Sequence, residues 1–281
     1  MTVDSGQRVD TRREAPAGRG SALRIGLLRG RLELSQFFRA RESVVFSFLF
    51  PVILLVIFGS IFDRQIAPGV TFTQYFVAGM IAAGLFTTSF QVLAIQIPIE
   101  RDRGVLKRLA GTPMPRSAYF VGKIVMVLVS SLAEIAVLLT VAALFYGVDL
   151  PATAERWLTL AWVSVLGVAA CTLCGIAFSS LPREGKRAPA MVTPVALVLQ
   201  FISGVFFVFT ELPGWMQQIA ALFPLKWLTQ GMRSVFLPDS FAATEAGGGW
   251  ELGRIALVLG LWVVVGLALC LRTFRWTGRE R

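Results

Sequence analysis

The chain has 281 residues, 55% of them hydrophobic and only 16% charged, against roughly 25% charged in an ordinary soluble domain. It carries a formal net charge of +10 and no histidine, which excludes histidine-dependent metal sites and Ser–His triads. The apolar residues fall in blocks, several of which reach the ~20 residues needed to cross a bilayer. No series of ~10-residue alternating segments marks a β-barrel, so composition predicts an all-α polytopic membrane protein.

Residues 1–20 are polar and arginine-rich and lack the apolar core of a signal peptide; they read as a disordered cytoplasmic tail. Over residues 21–43, Leu23, Leu27, Leu28, Leu34, Phe37 and Phe38 recur at helical spacing, with Arg24, Arg31, Arg39 and Arg41 between them. The pattern fits an amphipathic helix on the inner membrane surface or a cytoplasmic extension of span 1. Span 1 is placed at about 44–62, with Pro51 as a kink, and Asp63–Pro68 forms an outer loop. Span 2, about 72–97, holds small residues that let helices approach closely, including Gly79, Gly84, Thr87 and Thr88. Gln91 and Gln96 near its inner end have two open readings, helix–helix hydrogen bonds or a pathway lining.

Pro98 and the charge run Glu100–Arg103 are expected to end span 2. The stretch IERDRGVLKRLAGTPMPRSAYFVGK, residues 99–123, then reads as a short cytoplasmic helix. Val105, Leu106 and Leu109 form its apolar face, and Arg101, Arg103, Lys107 and Arg108 its basic one. Gly111, Pro113 and Pro115 stop it, and Arg116 and Lys123 mark the inner end of span 3, about 118–145. Glu134 lies in the middle of that span, where a carboxylate is costly unless paired, neutral or facing water; a structural partner and a pathway role both stand open. Span 4 is about 157–178, with Trp157 and Trp162 as interfacial anchors. Cys171 and Cys174, one turn apart on it, read as small apolar side chains rather than a metal or redox pair.

A basic loop, residues 181–189, leads into span 5, about 190–209. The next segment, residues 210–238, is apolar but broken by Pro213, Pro224, Lys226 and Arg233, and neither half is long enough to span. Short re-entrant or amphipathic helices at the outer face are expected there, built around Pro213, Gly214, Trp215 and Pro224. Span 6 is about 252–271, and residues 272–281 form a second cytoplasmic tail. In this arrangement the six-span transmembrane domain covers residues 44–271. It places 22 of the 27 Lys and Arg on one side, the asymmetry that fixes a cytoplasmic location for both termini. It also explains the high net charge without nucleic-acid binding.

No GxxxxGK[ST] phosphate loop, HExxH or GxSxG sequence is present, so no catalytic, cofactor-binding or metal residue is assigned and the chain is not read as an enzyme. A membrane enzyme acting on lipids would need a cluster of acid–base or metal residues at one interface, and none is found. An ATP-independent proton-coupled carrier has Glu134 as its best feature, but the sequence lacks an evident repeat of discontinuous helices.

The pattern Glu100-x3-Gly104-x-Leu106-x-Arg108-Leu109-x-Gly111-Thr112-Pro113-x-Pro115-x3-Tyr119-Phe120-x-Gly122-Lys123, together with the segment Ser203–Arg233, resembles the permease subunits of ABC-2 type exporters. The resemblance extends over essentially the whole chain after Ser21. It implies that residues 100–111 form a coupling helix docked on a separate ATPase, with Glu100, Arg101, Arg103, Gly104, Leu106, Lys107, Arg108, Leu109, Thr112 and Pro113 at the contact. It implies an N-terminal connector helix beside the same interface and external helices between spans 5 and 6. It further implies a unit of two ATPase subunits, which bind ATP and Mg, and two permease copies, expected as a homodimer in the plasma membrane. The form of the motif and the long N-terminal stretch are similar to the daunorubicin and multidrug exporter branch, which implies efflux of an amphipathic drug-like or lipid-like cargo and a part in antibiotic resistance. A polysaccharide or glycolipid exporter is the alternative. The basic face of the elbow has a second reading, attraction to anionic lipid heads.

Overall fold

A computed structural model describes residues 19–62, 65–112 and 114–274; the expected disordered tail before residue 19, Asp63 and Arg64 of the first outer loop, Pro113, and the tail after Phe274 lie outside them. The protein is a largely α-helical polytopic membrane protein. Its helices are α1 (Arg19–Arg39), α2 (Arg41–Val44), α3 (Phe50–Ile61), α4 (Phe72–Phe86), α5 (Val92–Asp102), α6 (Val105–Ala110), α7 (Arg116–Tyr146), α8 (Ala154–Phe178), α9 (Ala188–Ile202), α10 (Gly214–Ala221), α11 (Pro224–Phe236) and α12 (Leu252–Thr273). Among the described residues, four helical runs are long and apolar enough to cross a membrane: Phe72–Asp102, Ser117–Tyr146, Ala154–Phe178 and Leu252–Thr273.

The run Phe72–Asp102 is the axis of the bundle. In its most apolar stretch 83% of the residues are buried, against 22% in Leu252–Thr273 at the periphery. Helices α3, α7, α8 and α11 pack around α4, and α12 leans on α8. The axis starts with a capping box: the Thr71 hydroxyl accepts from the Gln74 amide and the Gln74 side chain accepts from the Thr71 amide, so two of the orphan N–H groups of the first turn are satisfied. Before it, β1 (Gln65–Ala67) pairs antiparallel with β2 (Val70–Thr71) in a small hairpin where a plain outer loop is expected.

Two expected boundaries change, and one expected kink takes a particular form. Span 2 is expected to end at Pro98 and the charge run Glu100–Arg103; the helix runs through Pro98 and stops within the charge run, at Asp102. Helix α8 and the 3-10 turn Gly185–Arg187 pack on this end, and the Asp102 carboxylate accepts from the Gly185 amide, so tertiary contacts outweigh the missing proline N–H. Span 5 was to reach residue 209, but α9 stops at Ile202. Gly204 takes the left-handed conformation, φ 73°, two residues beyond the helix end, where glycine commonly terminates helices. The 15 residues of α9 extend about 22 Å, short of the ~30 Å hydrocarbon core. In span 1, the kink expected from Pro51 takes the form of a π turn, Val45–Leu49, just ahead of the proline. The wider turn relieves the ring's clash with the carbonyl four residues back.

The broken segment after α9 forms two short helices, as its prolines predict. Pro213 caps the 8-residue α10, which begins at Gly214, and Pro224 opens the 13-residue α11. Trp215 is exposed, whereas every residue of α11 is buried. The turn between them meets α12 halfway along its length: the Trp262 indole donates to the Leu222 carbonyl at 2.9 Å.

Candidate functional site

The elbow after the axial helix is built as a clamped joint. Gly104, at φ 71°, separates α5 from the six-residue α6 with a left-handed turn. On the bundle side of this turn, three helices meet around Lys123, which has no exposed side-chain surface. Its ammonium lies 2.8 Å from Glu33 Oε2 on α1 and 2.5 Å from Glu100 Oε1 on α5. The other oxygen of each carboxylate is also engaged: the Tyr119 hydroxyl donates to Glu100 Oε2 at 2.8 Å, and Arg29 donates to Glu33 Oε1 at 2.8 Å. The Tyr119 ring lies beneath both cations, 5.5 Å from Arg29 and 5.6 Å from Lys123. A buried ion cluster of this kind offsets its desolvation cost only when its hydrogen bonds are well satisfied; all four carboxylate oxygens have a donor, while the buried Arg29 Nε has no protein partner.

Small residues let the helices come close enough to make the cluster. A Cβ on Gly26 would lie 2.6 Å from Val121, and one on Gly30 2.7 Å from Val125. These two glycines sit one turn apart on the face of α1 that packs along α7. The amphipathic helix expected over residues 21–43 is thus a helix over Arg19–Arg39 bound to α7 by a small-residue face and the Glu33–Lys123 pair. Glu33 escaped the sequence reading; a lone acid among the arginines of α1 was the available signal.

The predicted contact residues divide into two groups. Glu100 points into the joint, Arg101 donates to the Ser179 carbonyl at the end of α8, and Leu106 is fully buried by this chain; these hold the elbow to the bundle. Leu106 was read as part of an apolar face offered to a partner, and its surface is instead covered internally. Arg103, Lys107, Arg108 and Thr112 are exposed and Leu109 is half-buried. The Thr112 hydroxyl donates back to the Leu109 carbonyl at 2.7 Å and closes the end of α6. The surface turned away from the bundle is therefore basic.

A second polar group lies within the bundle, at a π turn of the axial helix, Thr87–Gln91. Widened turns of this kind recur at functional sites. Thr88 donates to Glu134 Oε2 of α7 at 3.0 Å, Gln91 donates to Thr193 of α9 at 3.4 Å, and Gln200 of α9 donates to Thr87 at 3.3 Å. Glu134 is buried beside Gly84, and its Oε1 has no protein hydrogen-bond partner. Gln91 thus makes one contact between helices, while Gln96 is half-buried and stands apart from these pairs.

Membrane-length helical runs packed around an axial one that ends in a basic elbow define a multi-pass membrane protein. The chain belongs to the ABC-2 type transporter family, whose sequence profile matches residues 30–237. It is 25% identical to ycf38 of Porphyra purpurea, a protein named as a transport permease, over 82% of each chain. It is 23% identical to the inner membrane transport permease YadH of Escherichia coli K12, over 65% of this chain and 70% of that one. The protein is therefore the membrane permease component of an ABC-type transport system. Members of the family are transmembrane transport subunits rather than catalytic ATPases, and they typically pair with an ABC ATPase and often with a second permease copy.

Proposed function

We propose that the chain is the membrane half of an ATP-driven exporter in which α6 docks on the ATPase and the Lys123 joint carries its displacement into the bundle. The observation that supports this is the closure of Lys123 between Glu33 and Glu100. It ties the connector helix α1, the end of the axial helix and the start of α7 into one body, so a push on the elbow moves all three together. The exposed Arg103, Lys107 and Arg108 would face an acidic groove on the ATPase.

In this reading two copies of the chain pair with two ATPase subunits, which bind ATP and Mg. The polypeptide crosses the plasma membrane six times with both termini cytoplasmic. Span 1 is the run through α3, and α9 is the fifth crossing, completed by the irregular residues after it. Helices α10 and α11 form a re-entrant hairpin that descends from the outer face to mid-membrane, because the turn at Leu222 meets the midpoint of α12. The cargo is an amphipathic drug-like or lipid-like molecule, in keeping with the apolar surfaces of the bundle, and export of such a molecule would confer resistance to it.

The test is co-purification of the chain with an ABC ATPase, followed by ATP turnover and cargo movement in lipid vesicles. Cargo-stimulated turnover that vanishes on removing residues 103–112 is the expected result. ATP-independent cargo movement by the chain alone, or an elbow labelled from the outer face of intact cells, would overturn the proposal.

A further inference from the structure

An apolar groove of about 300 Å³ runs between α9 and α12, at the lower end of the ~300–1,000 Å³ typical of small-molecule sites. Phe90 of the π turn, Phe178 of α8, Leu199 of α9 and Trp262 of α12 form its walls. Its lips, Val195 and Leu269, are exposed, so it opens sideways toward the bilayer. Phe223 and Pro224, at the turn between α10 and α11, close one end. Ser180, Leu181 and Thr273 lie at the other end, where α8 and α12 finish on the elbow side.

The length of the groove identifies its occupant. Along α12 it extends from Trp262 to Thr273, eleven residues or about 16 Å at 1.5 Å per residue. That is half of the ~30 Å hydrocarbon core, the depth of one leaflet. The hairpin turn at Phe223 therefore sits as a ceiling near the midplane. Exposed cations neighbour the elbow-side end of the groove in the chain: Arg183 and Lys186 on the loop that follows Leu181, and Arg272 beside Thr273. None of these three makes an ion pair among the described residues; Glu184 nearby pairs with Arg187 at 3.3 Å. An apolar slot one leaflet deep beneath a positive rim matches a single lipid with an anionic head.

We propose that this groove is a binding site for one resident anionic phospholipid, with an acyl chain between α9 and α12 and its phosphate on Arg183, Lys186 and Arg272. The lipid would fill a gap that no side chain among the described residues closes, and would bridge α9 to α12 beneath the hairpin. The inference uses only the helices and their charges, and stands whether or not the transport reading holds.

Trp262 makes the site directly observable. The full chain is reconstituted in phosphatidylcholine vesicles containing either phosphatidylglycerol or phosphatidylcholine brominated in the acyl chains, and the Trp262 signal is obtained by difference from Trp262→Phe. Half-maximal quenching is expected at a mole fraction of phosphatidylglycerol at least five-fold below that of phosphatidylcholine. Each of Arg183→Gln, Lys186→Gln and Arg272→Gln should lower that preference roughly five-fold or less, as expected for a basic residue beside an anionic membrane surface. Equal quenching by the two lipids, or a preference that survives the triple variant, would overturn the proposal. Native mass spectrometry of the unaltered chain gives a second readout: one retained phosphatidylglycerol supports the site, and retention of none, or of either lipid equally, refutes it.

Discussion

The Thr88 hydroxyl donates to Glu134 Oε2 at 3.0 Å, and this contact joins the π turn of the axial helix to the only acidic residue within the apolar stretch of α7. The other side of the carboxylate lies against Gly84, where a Cβ would overlap Glu134 Oε1. The missing side chain at residue 84 is what leaves room for the acid. Gly84→Ala should therefore cost about 1–3 kcal/mol, as overpacking does, and less in a Glu134→Ala background, since pairs in contact couple. Thr88→Val should cost about 0.6 kcal/mol, the average for a membrane interhelical hydrogen bond. Unfolding in mixed micelles reads all four proteins; additive costs for the pair at residues 84 and 134 would contradict the contact.

Lys123 allows the proposed coupling to be separated from folding. Lys123→Met removes the cation between two buried carboxylates and should destabilise by about 3–5 kcal/mol, the cost of breaking one partner out of a buried ion pair. Neutralising the partners as well, in Glu33→Gln/Lys123→Met/Glu100→Gln, should recover part of that stability, because no carboxylate is left buried and unpaired, while Arg29, which loses Glu33, keeps some solvent exposure. The triple variant should nevertheless move less cargo per ATP hydrolysed, since α1 and α5 are no longer tied through α7. A stable triple variant with a native transport-to-turnover ratio would show that the joint is not a coupling element.

Much of this arrangement could be read from sequence because membrane helices announce themselves by length and apolarity. The start of the axial helix and the helices α7, α8 and α12 lie on the apolar blocks read for them, and Pro213 and Pro224 start helices where a broken apolar segment predicts them. What escaped depends on partners distant in the chain. Glu33 and Lys123 are 90 residues apart, and nothing local to either names the other. Pro98 read as a stop because the backbone at Gly185 that supports the following turn is invisible in the local sequence. Leu106 read as an outward face for the same reason: helical periodicity shows that a residue seeks burial but not whether the burying surface belongs to the same chain.

Gly104 sets the direction of the elbow through its backbone alone. Its φ of 71° is left-handed, and no atom lies within 4 Å of where a Cβ would stand, so any effect of a small side chain comes from conformation rather than collision. Gly104→Ala should cost about 1–2 kcal/mol, while Gly104→Asn should cost less, because asparagine visits this region more readily. Coupled transport should rank native, Asn, then Ala. Equal activity of the Ala and Asn variants would show that the turn tolerates another geometry.

Arg233 should not be replaceable by lysine. Its Nε lies 2.5 Å from Glu245 Oε1 and its Nη2 3.1 Å from Glu245 Oε2, a bidentate pair, while Nη1 donates to the Gly204 carbonyl at 3.3 Å. The guanidinium also stacks 5.0 Å from the Tyr75 ring centre. One planar group thus fastens α11 to the loop beyond it, to the end of α9 and to the start of the axial helix. Lysine keeps the charge but offers a single point donor without the planar fork, so at least one Glu245 oxygen or the Gly204 carbonyl loses its partner, worth about 1.5–3 kcal/mol for a bond to a charged group. Arg233→Lys should lower the unfolding midpoint and expose the loop at residues 239–245 to protease added from the hairpin side of the bundle. Wild-type protection of that loop in the Lys variant would mean that charge alone holds the hairpin.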